Sequence, residues 1–304
     1  MAEPILQLKN LTKTYRKHNV VDNFNLSIEK KHICGLIGPN GAGKTTIMKI
    51  LAGLMFQTSG GVSLFGRSDN LEESRKRMSF MIEAPIVDKK MSAYENLAYL
   101  RYVRGYPDIK RIDEVLDIVG LSDTGKKKAG QFSLGMRQRL GIGMALLSKP
   151  EILVLDEPVN GLDPEGIVDV RHILKRLSEE QNITILISSH LLSELSEMCS
   201  DFSIINHGKL IENLSAEELM VKCRGHISIK TDDINRTAAL LEDKLSIKNY
   251  KVLNDEEIHI FEQTDRIYNI SKTLTENGLV LTKLHEEGQS LEEYYLEKVG
   301  GGND

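Results

Sequence analysis

A chain of 304 residues with 40% hydrophobic and 27% charged side chains can bury one large core and a smaller second one, which excludes a disordered or fibrous polymer. Its net charge of −5 argues against a protein whose main business is coating nucleic acid. No apolar run reaches the ~18 to 20 residues needed to cross a bilayer, and the N-terminus lacks the layout of a signal peptide, so a cytosolic place is expected. Cys34, Cys199 and Cys223 form no Cys-x-x-Cys pair, so neither a disulfide framework nor a zinc site is indicated.

Taken in chain order, Ile5 to Ile28 alternates short apolar runs with turn residues such as Arg16-Lys17-His18-Asn19, predicting an antiparallel strand group. Ile33-Cys34-Gly35-Leu36-Ile37 has no polar alternation, the pattern of a parallel strand buried on both faces. It enters Gly38-Pro39-Asn40-Gly41-Ala42-Gly43-Lys44-Thr45-Thr46, followed by a helical stripe of Ile47, Ile50, Leu51 and Leu54 that stops near Gly53. The three loop glycines let successive N–H groups converge on an anion at the positive end of that helix. Lys44 supplies a mobile charge for the β- and γ-phosphates and the Thr45 hydroxyl is placed for Mg²⁺. The chain is therefore expected to bind a nucleoside triphosphate.

From Ser92 the pattern turns helical, with Ser92 and Glu95 at capping-box spacing ahead of Leu97, Leu100 and Val103. Ile112 to Val119 and Met136 to Leu147 also read as helices, so residues from about 83 to 148 form a helix-rich insertion. Ser133 can cap the last of these, and with the Gly135 backbone it offers a second anion site. Two buried strands follow, Ile152 to Leu155 and Ile183 to Ile187, separated by a helix containing Val168, Ile173, Leu174 and Leu177.

The first of these strands ends in Asp156 and Glu157. Asp156 would hold Mg²⁺ through its water ligands, and Glu157 would orient the water that attacks the γ-phosphate. The second runs on to His190, in reach of the same phosphate and water. Such an order predicts an α/β sheet with its ligand chemistry at the carboxyl ends of the strands. Beyond residue 222, strands at 226–230, 248–252, 256–262 and 279–285 alternate with helices near 233–245 and 265–277, and a terminal helix spans Ser290 to Val299. That order predicts a small split βαβ domain, giving domains of 1–221 and 222–304.

Gly38 to Thr46, Phe132 to Gln138, Ile152 to Pro158, Asn160-Gly161-Leu162-Asp163 and His190 together resemble the ATP-binding cassette family, over roughly the first 220 residues. The resemblance implies a P-loop ATPase domain with an antiparallel β subdomain and a helical subdomain, using ATP and Mg²⁺. It implies a head-to-tail pair of such domains, a homodimer, in which Ser133 and Gly135 of one copy cover the γ-phosphate held by Lys44 of the other. Asp163 would lie at that seam, and Tyr15 matches the position whose ring stacks on adenine. Two departures stand out. The usual Leu-Ser-Gly-Gly-Gln is here Phe132-Ser133-Leu134-Gly135-Met136, and Glu83 stands where the family has a Gln that touches Mg²⁺ and senses the membrane subunit. Glu83, the Ser92 to Leu97 stretch and the C-terminal extension look like the subgroup that exports, or confers resistance to, peptide antibiotics such as bacitracin and lantibiotics.

The expected function is accordingly the ATPase subunit of an exporter, bound through a separate membrane-spanning permease to the inner face of the cell membrane. The alternative, a soluble cassette ATPase acting on ribosomes or nucleic acid, commonly has two cassettes or a long coiled-coil insertion, and this sequence shows neither. Lys126-Lys127-Lys128 reads as a solvated loop, not a nucleic-acid site. A non-hydrolysing nucleotide sensor is disfavoured by the joint presence of Lys44, Asp156, Glu157 and His190.

Overall fold

The computed structural model describes residues 4–223, 226–254, 257–262, 267–287 and 290–300. The chain divides into two compact units, one running to Ala216 and taking in the chain from Lys298, the other formed by Glu217–Glu297.

In the first unit, β1 (Leu6–Tyr15) and β2 (His18–Ile28) pair antiparallel. The apolar alternation within them buries Leu6, Leu8, Leu11, Val21, Phe24 and Leu26 on one face, each side chain contributing about 1.5–3 kcal/mol by leaving water. Next come β3 (Ile33–Ile37), buried throughout, and α1 (Lys44–Leu51). β4 (Ser59–Leu64) pairs with β1 on its free edge, completing a three-stranded sheet. α2 (Leu71–Arg75) and β5 (Met78–Met81) lead into the helical insertion, which holds α3 (Ala93–Arg104), α4 (Lys110–Ile118) and α5 (Leu134–Leu146).

β6 (Ile152–Leu155), α6 (Pro164–Glu179), β7 (Thr184–Ser189), α7 (Leu192–Ser196), β8 (Asp201–Asn206) and β9 (Lys209–Ser215) finish the unit. The main sheet has the order β5-β6-β7-β3-β8-β9, parallel except for the β8/β9 hairpin. This order decides where chemistry can occur. Because β5, β6, β7 and β3 are parallel neighbours, the residues after Met81, Leu155 and Ile37 and those at the end of β7 emerge along one edge.

α8 (Ala216–Lys222) precedes the second unit's sheet, which is made of β10 (His226–Thr231), β11 (Tyr250–Asn254), β12 (Glu257–Ile260) and β13 (Leu281–Glu287). The sheet is antiparallel with order β11-β12-β10-β13, so each of two βαβ halves is split by a strand of the other. α9 (Ile234–Leu245) and α10 (Ile267–Glu276) contribute Leu241, Ile270 and Leu274 to a core with Ile227, Ile229, Ile258 and Ile260. α11 (Leu291–Gly300) follows. On the opposite face, Glu257 is held down to about 2, first by the Ser228 hydroxyl, with His259 and Lys230 adding to it.

Three apolar positions of these helical patterns face solvent. Leu54 is exposed because α1 ends at Leu51 and Gly53 turns the chain through a positive φ of 74°. Val103 of α3 and Val168 of α6 are also exposed, since the buried stripes run through Leu97 and through Val170, Ile173, Leu174 and Leu177. Strands β4, β5, β8 and β9 were not anticipated from the sequence. β5 has only four residues, and β4 opens on Ser59-Gly60-Gly61, which carries no apolar period.

The capping box at the start of α3 forms: Ser92 Oγ accepts from the Glu95 N–H at 3.2 Å and Glu95 Oε2 accepts from the Ser92 N–H at 2.6 Å. Lys128 donates to the same carboxylate at 2.8 Å and, as the largest cause, holds Glu95 down to about 2. A carboxylate with a depressed folded pKa stabilises above its ordinary value of 4.5 and loses that contribution as pH falls toward about 2. Melting temperatures of the wild type and Glu95→Gln should therefore differ at pH 5, with the wild type higher, and converge as pH approaches 2. A constant gap across that window would remove the charge from the cap.

Candidate functional site

The loop from Gly38 to Thr46 joins β3 to α1 and packs where side chains do not fit. A Cβ on Gly38 would lie 2.3 Å from the Ile205 carbonyl oxygen. Gly43, which caps α1 with φ of 108°, would meet the Val20 oxygen at 2.7 Å. Asn40 and Gly41 are exposed at the loop's rim and Thr46 is half-buried. Lys44 is buried at 5% exposure, and its ammonium donates to the carbonyl oxygens of Gly38 at 2.6 Å and Pro39 at 3.3 Å. It also stands 3.1 Å from Glu157 Oε1.

Across the edge, β6 and β7 supply the carboxylates and their supports. Thr45 Oγ1 donates to Asp156 Oδ2 at 2.8 Å, joining the first turn of α1 to the end of β6. Asp156 is itself buried, and its backbone N–H donates to Met81 O at 2.8 Å, tying it to β5. Ser188, completely buried in β7, donates its hydroxyl to Asp156 Oδ1 at 2.6 Å and accepts the Glu157 N–H at 2.9 Å. That second bond holds Glu157 in a left-handed conformation, φ 48°, which costs a non-glycine residue about 1–3 kcal/mol. Glu157 Oε2 meets His190 Nδ1 at 2.9 Å, while Oε1 is buried without a hydrogen bond, Lys44 being its ion partner.

Lys44, Thr45, Asp156, Glu157 and His190 thus meet in one continuous network. Ser188 is the member that sequence reasoning missed. The available signal was a hydroxyl at the end of an otherwise aliphatic buried strand, Thr184-Ile185-Leu186-Ile187-Ser188, one strand over from the acid pair.

The other candidates lie apart from that network. Ser133 caps α5, its hydroxyl accepting the Met136 N–H at 3.1 Å. Asp163 caps α6 by accepting the Gly166 N–H at 3.1 Å. A Cβ on Gly135 would fall 3.7 Å from Gly166 Cα, so the two helix N-termini are neighbours. Among the described residues, no hydrogen bond or ion pair links Ser133, Gly135 or Asp163 to Lys44, Asp156 or Glu157. Tyr15 is 45% exposed, with its hydroxyl donating to Met55 Sδ at 2.9 Å and Lys13 lying 5.1 Å from the ring. Among the described residues Glu83 makes no hydrogen bond to Thr45 or Asp156. Its carboxylate pairs with Lys49 of α1 at 2.8 Å instead.

Thr45 and Asp156 form an oxygen-only donor pair in a half-buried setting, which suits a hard cation such as Mg²⁺. No group of three His, Cys, Asp or Glu residues among those described is placed to hold a metal ion. Beside this edge, the loop after β5 walls a groove of about 720 Å³, lined in part by Met81, Ile82, Pro85, Tyr99 and Met144. Ile86, also on its wall, is 91% exposed and Tyr102 nearby on α3 is 80% exposed. No helix among the described residues is long and apolar enough to cross a membrane.

The family of ABC transporters matches residues 21–160. The chain is 39% identical over 300 residues to the bacitracin transport ATP-binding protein BcrA of Bacillus licheniformis, spanning 98% of each. It is 44% identical over 207 residues to the lantibiotic transport ATP-binding protein SrtF of Streptococcus pyogenes, spanning 68% of this chain and 89% of that one. Among solved structures it is similar to a dimeric ATP-binding cassette in a post-hydrolysis state bound to ADP and phosphate. There the identity is 27% and the TM-score 0.61, over 69% of this chain and 98% of that one. A phosphate loop, two carboxylates and a histidine on one parallel edge, in a chain so closely matched, leave one conclusion: this protein belongs to the ABC transporter family, as an ATP-binding and ATP-hydrolysing subunit.

Proposed function

We propose that this chain powers export of a peptide antibiotic or a related amphipathic molecule through a separate membrane-spanning permease, working as a homodimer on the inner face of the cell membrane. The observation that carries the reading is the Lys44, Thr45, Asp156, Glu157 and His190 network set beside the apolar groove, in a relative of a bacitracin transport subunit.

Each part of the reaction finds a residue. Lys44, leaving the Gly38 and Pro39 carbonyls, would pair with the β- and γ-phosphates, and the N–H groups of the Asn40 to Thr46 loop would hold their oxygens. Thr45 and Asp156 would hold Mg²⁺, which shields the phosphate charge when bound. Glu157 would orient the attacking water through a carboxylate that Ser188 and His190 keep in place. Tyr15 would stack on the adenine ring. Ser133 and Gly135, with Asp163 on the adjoining helix end, would face the γ-phosphate of the other copy, giving each ATP a role in joining the pair. A cytoplasmic segment of the permease would seat in the groove against Ile82, Pro85 and Tyr99, where its movement reaches the β5 exit directly.

The reading is tested with tagged Glu157→Gln protein and ATP in detergent-solubilised membranes. A multi-span membrane protein should co-purify. Recovery of ribosomes or nucleic acid in its place would overturn the transporter role. The purified Glu157→Gln variant should also hydrolyse ATP at a small fraction of the wild-type rate and, with ATP, elute as a dimer in light scattering. Undiminished hydrolysis would take Glu157 out of catalysis. Replacing Ser188 by Ala should lower kcat by about 10- to 100-fold, the usual cost of losing a group that orients a site residue, with ATP affinity much less affected. A wild-type kcat would leave Ser188 a packing residue only.

A further inference from the structure

Lys49 is the fifth residue beyond the phosphate-loop lysine and shares a face of α1 with Thr45, four residues earlier. Its ammonium lies 2.8 Å from Glu83 Oε1, although the pair is largely solvent-exposed, 33% for Lys49 and 67% for Glu83. Ion pairs of that exposure add little to stability, so its consequence lies in where it puts the carboxylate.

Glu83 emerges two residues past the end of β5, and Asp156 one residue past the end of β6, on adjacent parallel strands tied by the Asp156 N–H to Met81 O bond. The Glu83 backbone is left-handed, φ 64°. Two residues on, Pro85 rests on α5, where a Cβ on Gly141 would lie 2.4 Å from Pro85 Cβ. The loop is therefore fixed at both flanks, and the side chain at its centre is held on the face of α1 that also carries Thr45, by a lysine that feels the Asp156 charge as well. Electrostatics agree with this placement: the hydrogen bond to Lys49 holds Glu83 below the usual carboxylate range, and Lys49 is raised by Glu83 first and also by Asp156.

We propose that Lys49 is a positioning residue that withholds the Glu83 carboxylate from the Mg²⁺-holding pair Thr45 and Asp156 by fastening it to α1. The proposal rests on the reading of Thr45 and Asp156 as the holders of Mg²⁺. Released from Lys49, Glu83 would offer its carboxylate to that cation and would place an anion near the phosphates. Lys49 thereby sets how strongly nucleotide binding depends on Mg²⁺.

The test is calorimetric titration of the full chain with ADP, with and without Mg²⁺, which needs no turnover. In Lys49→Gln the ratio of the two affinities should rise by roughly three- to ten-fold, the scale of one charge uncovered at a partly exposed site. In the double variant Lys49→Gln/Glu83→Gln it should return to within about two-fold of Glu83→Gln alone, the non-additivity expected of a coupled pair. Lys49→Arg, which keeps the charge, should leave the ratio at the wild-type value, and Lys49→Ala substitutes for Lys49→Gln if that variant does not fold. A rise that persists when Glu83 is also replaced would show that Lys49 acts on the nucleotide by itself and would overturn the proposal. If the unaltered protein shows no effect of Mg²⁺ on ADP affinity, the reading of Thr45 and Asp156 fails first and takes this proposal with it.

Discussion

The buried hydroxyl of Ser188 is the point on which the rest of the site depends. One side of it donates to Asp156 and the other accepts the Glu157 N–H, so a single β7 atom fixes both carboxylate residues at the end of β6. A buried hydroxyl with both capacities filled has one low-energy orientation, because any rotation strands a donor or acceptor away from water. It also offsets the left-handed backbone that turns Glu157 toward His190 and Lys44. Strain of this kind persists only where the surroundings over-determine it, and here β6 and β7 are locked in parallel register from Ile152 to Leu155.

Two physical designs meet at that edge. The phosphate loop works through backbone: glycines where Ile205 and Val20 leave no space for a Cβ, and a helix end aimed at the same place. The carboxylate side works through side chains held by side chains. Lys44 belongs to both, since it donates to loop carbonyls and pairs with Glu157. An anion entering the loop would compete for that ammonium, which would couple its entry to the freedom of the Glu157 carboxylate.

The β5 exit adds a third element. Its loop contacts α5 through Pro85 and Gly141, walls the apolar groove, and begins at the carbonyl that receives the Asp156 N–H. A displacement in the groove therefore has a short, stiff route to the acid pair and to the helix that Ser133 caps. Packed elements of this sort shift between discrete arrangements instead of deforming smoothly. The second unit is built on a separate core and carries its own polar network around Glu257.

The strong patterns were legible in the chain itself. Unbroken aliphatic runs marked β3, β6 and β7, the Gly38 to Thr46 spacing marked the phosphate loop, and Ser92 with Glu95 marked the start of α3, because each of these is a local rule obeyed over a few residues. The split βαβ order of the second unit was readable for the same reason, although β11 begins two residues later than its pattern suggested. Sequence alone thus determined the family, strands β3, β6 and β7 of the parallel edge and the residues that those strands bring together there. Only the tertiary structure decided that Ser188 joins the two carboxylates, that Glu83 rests on Lys49, and that the α5 and α6 ends lie side by side. Those pairings join residues 31 to 34 positions apart, and they are set by strand order and helix packing, which no local period encodes.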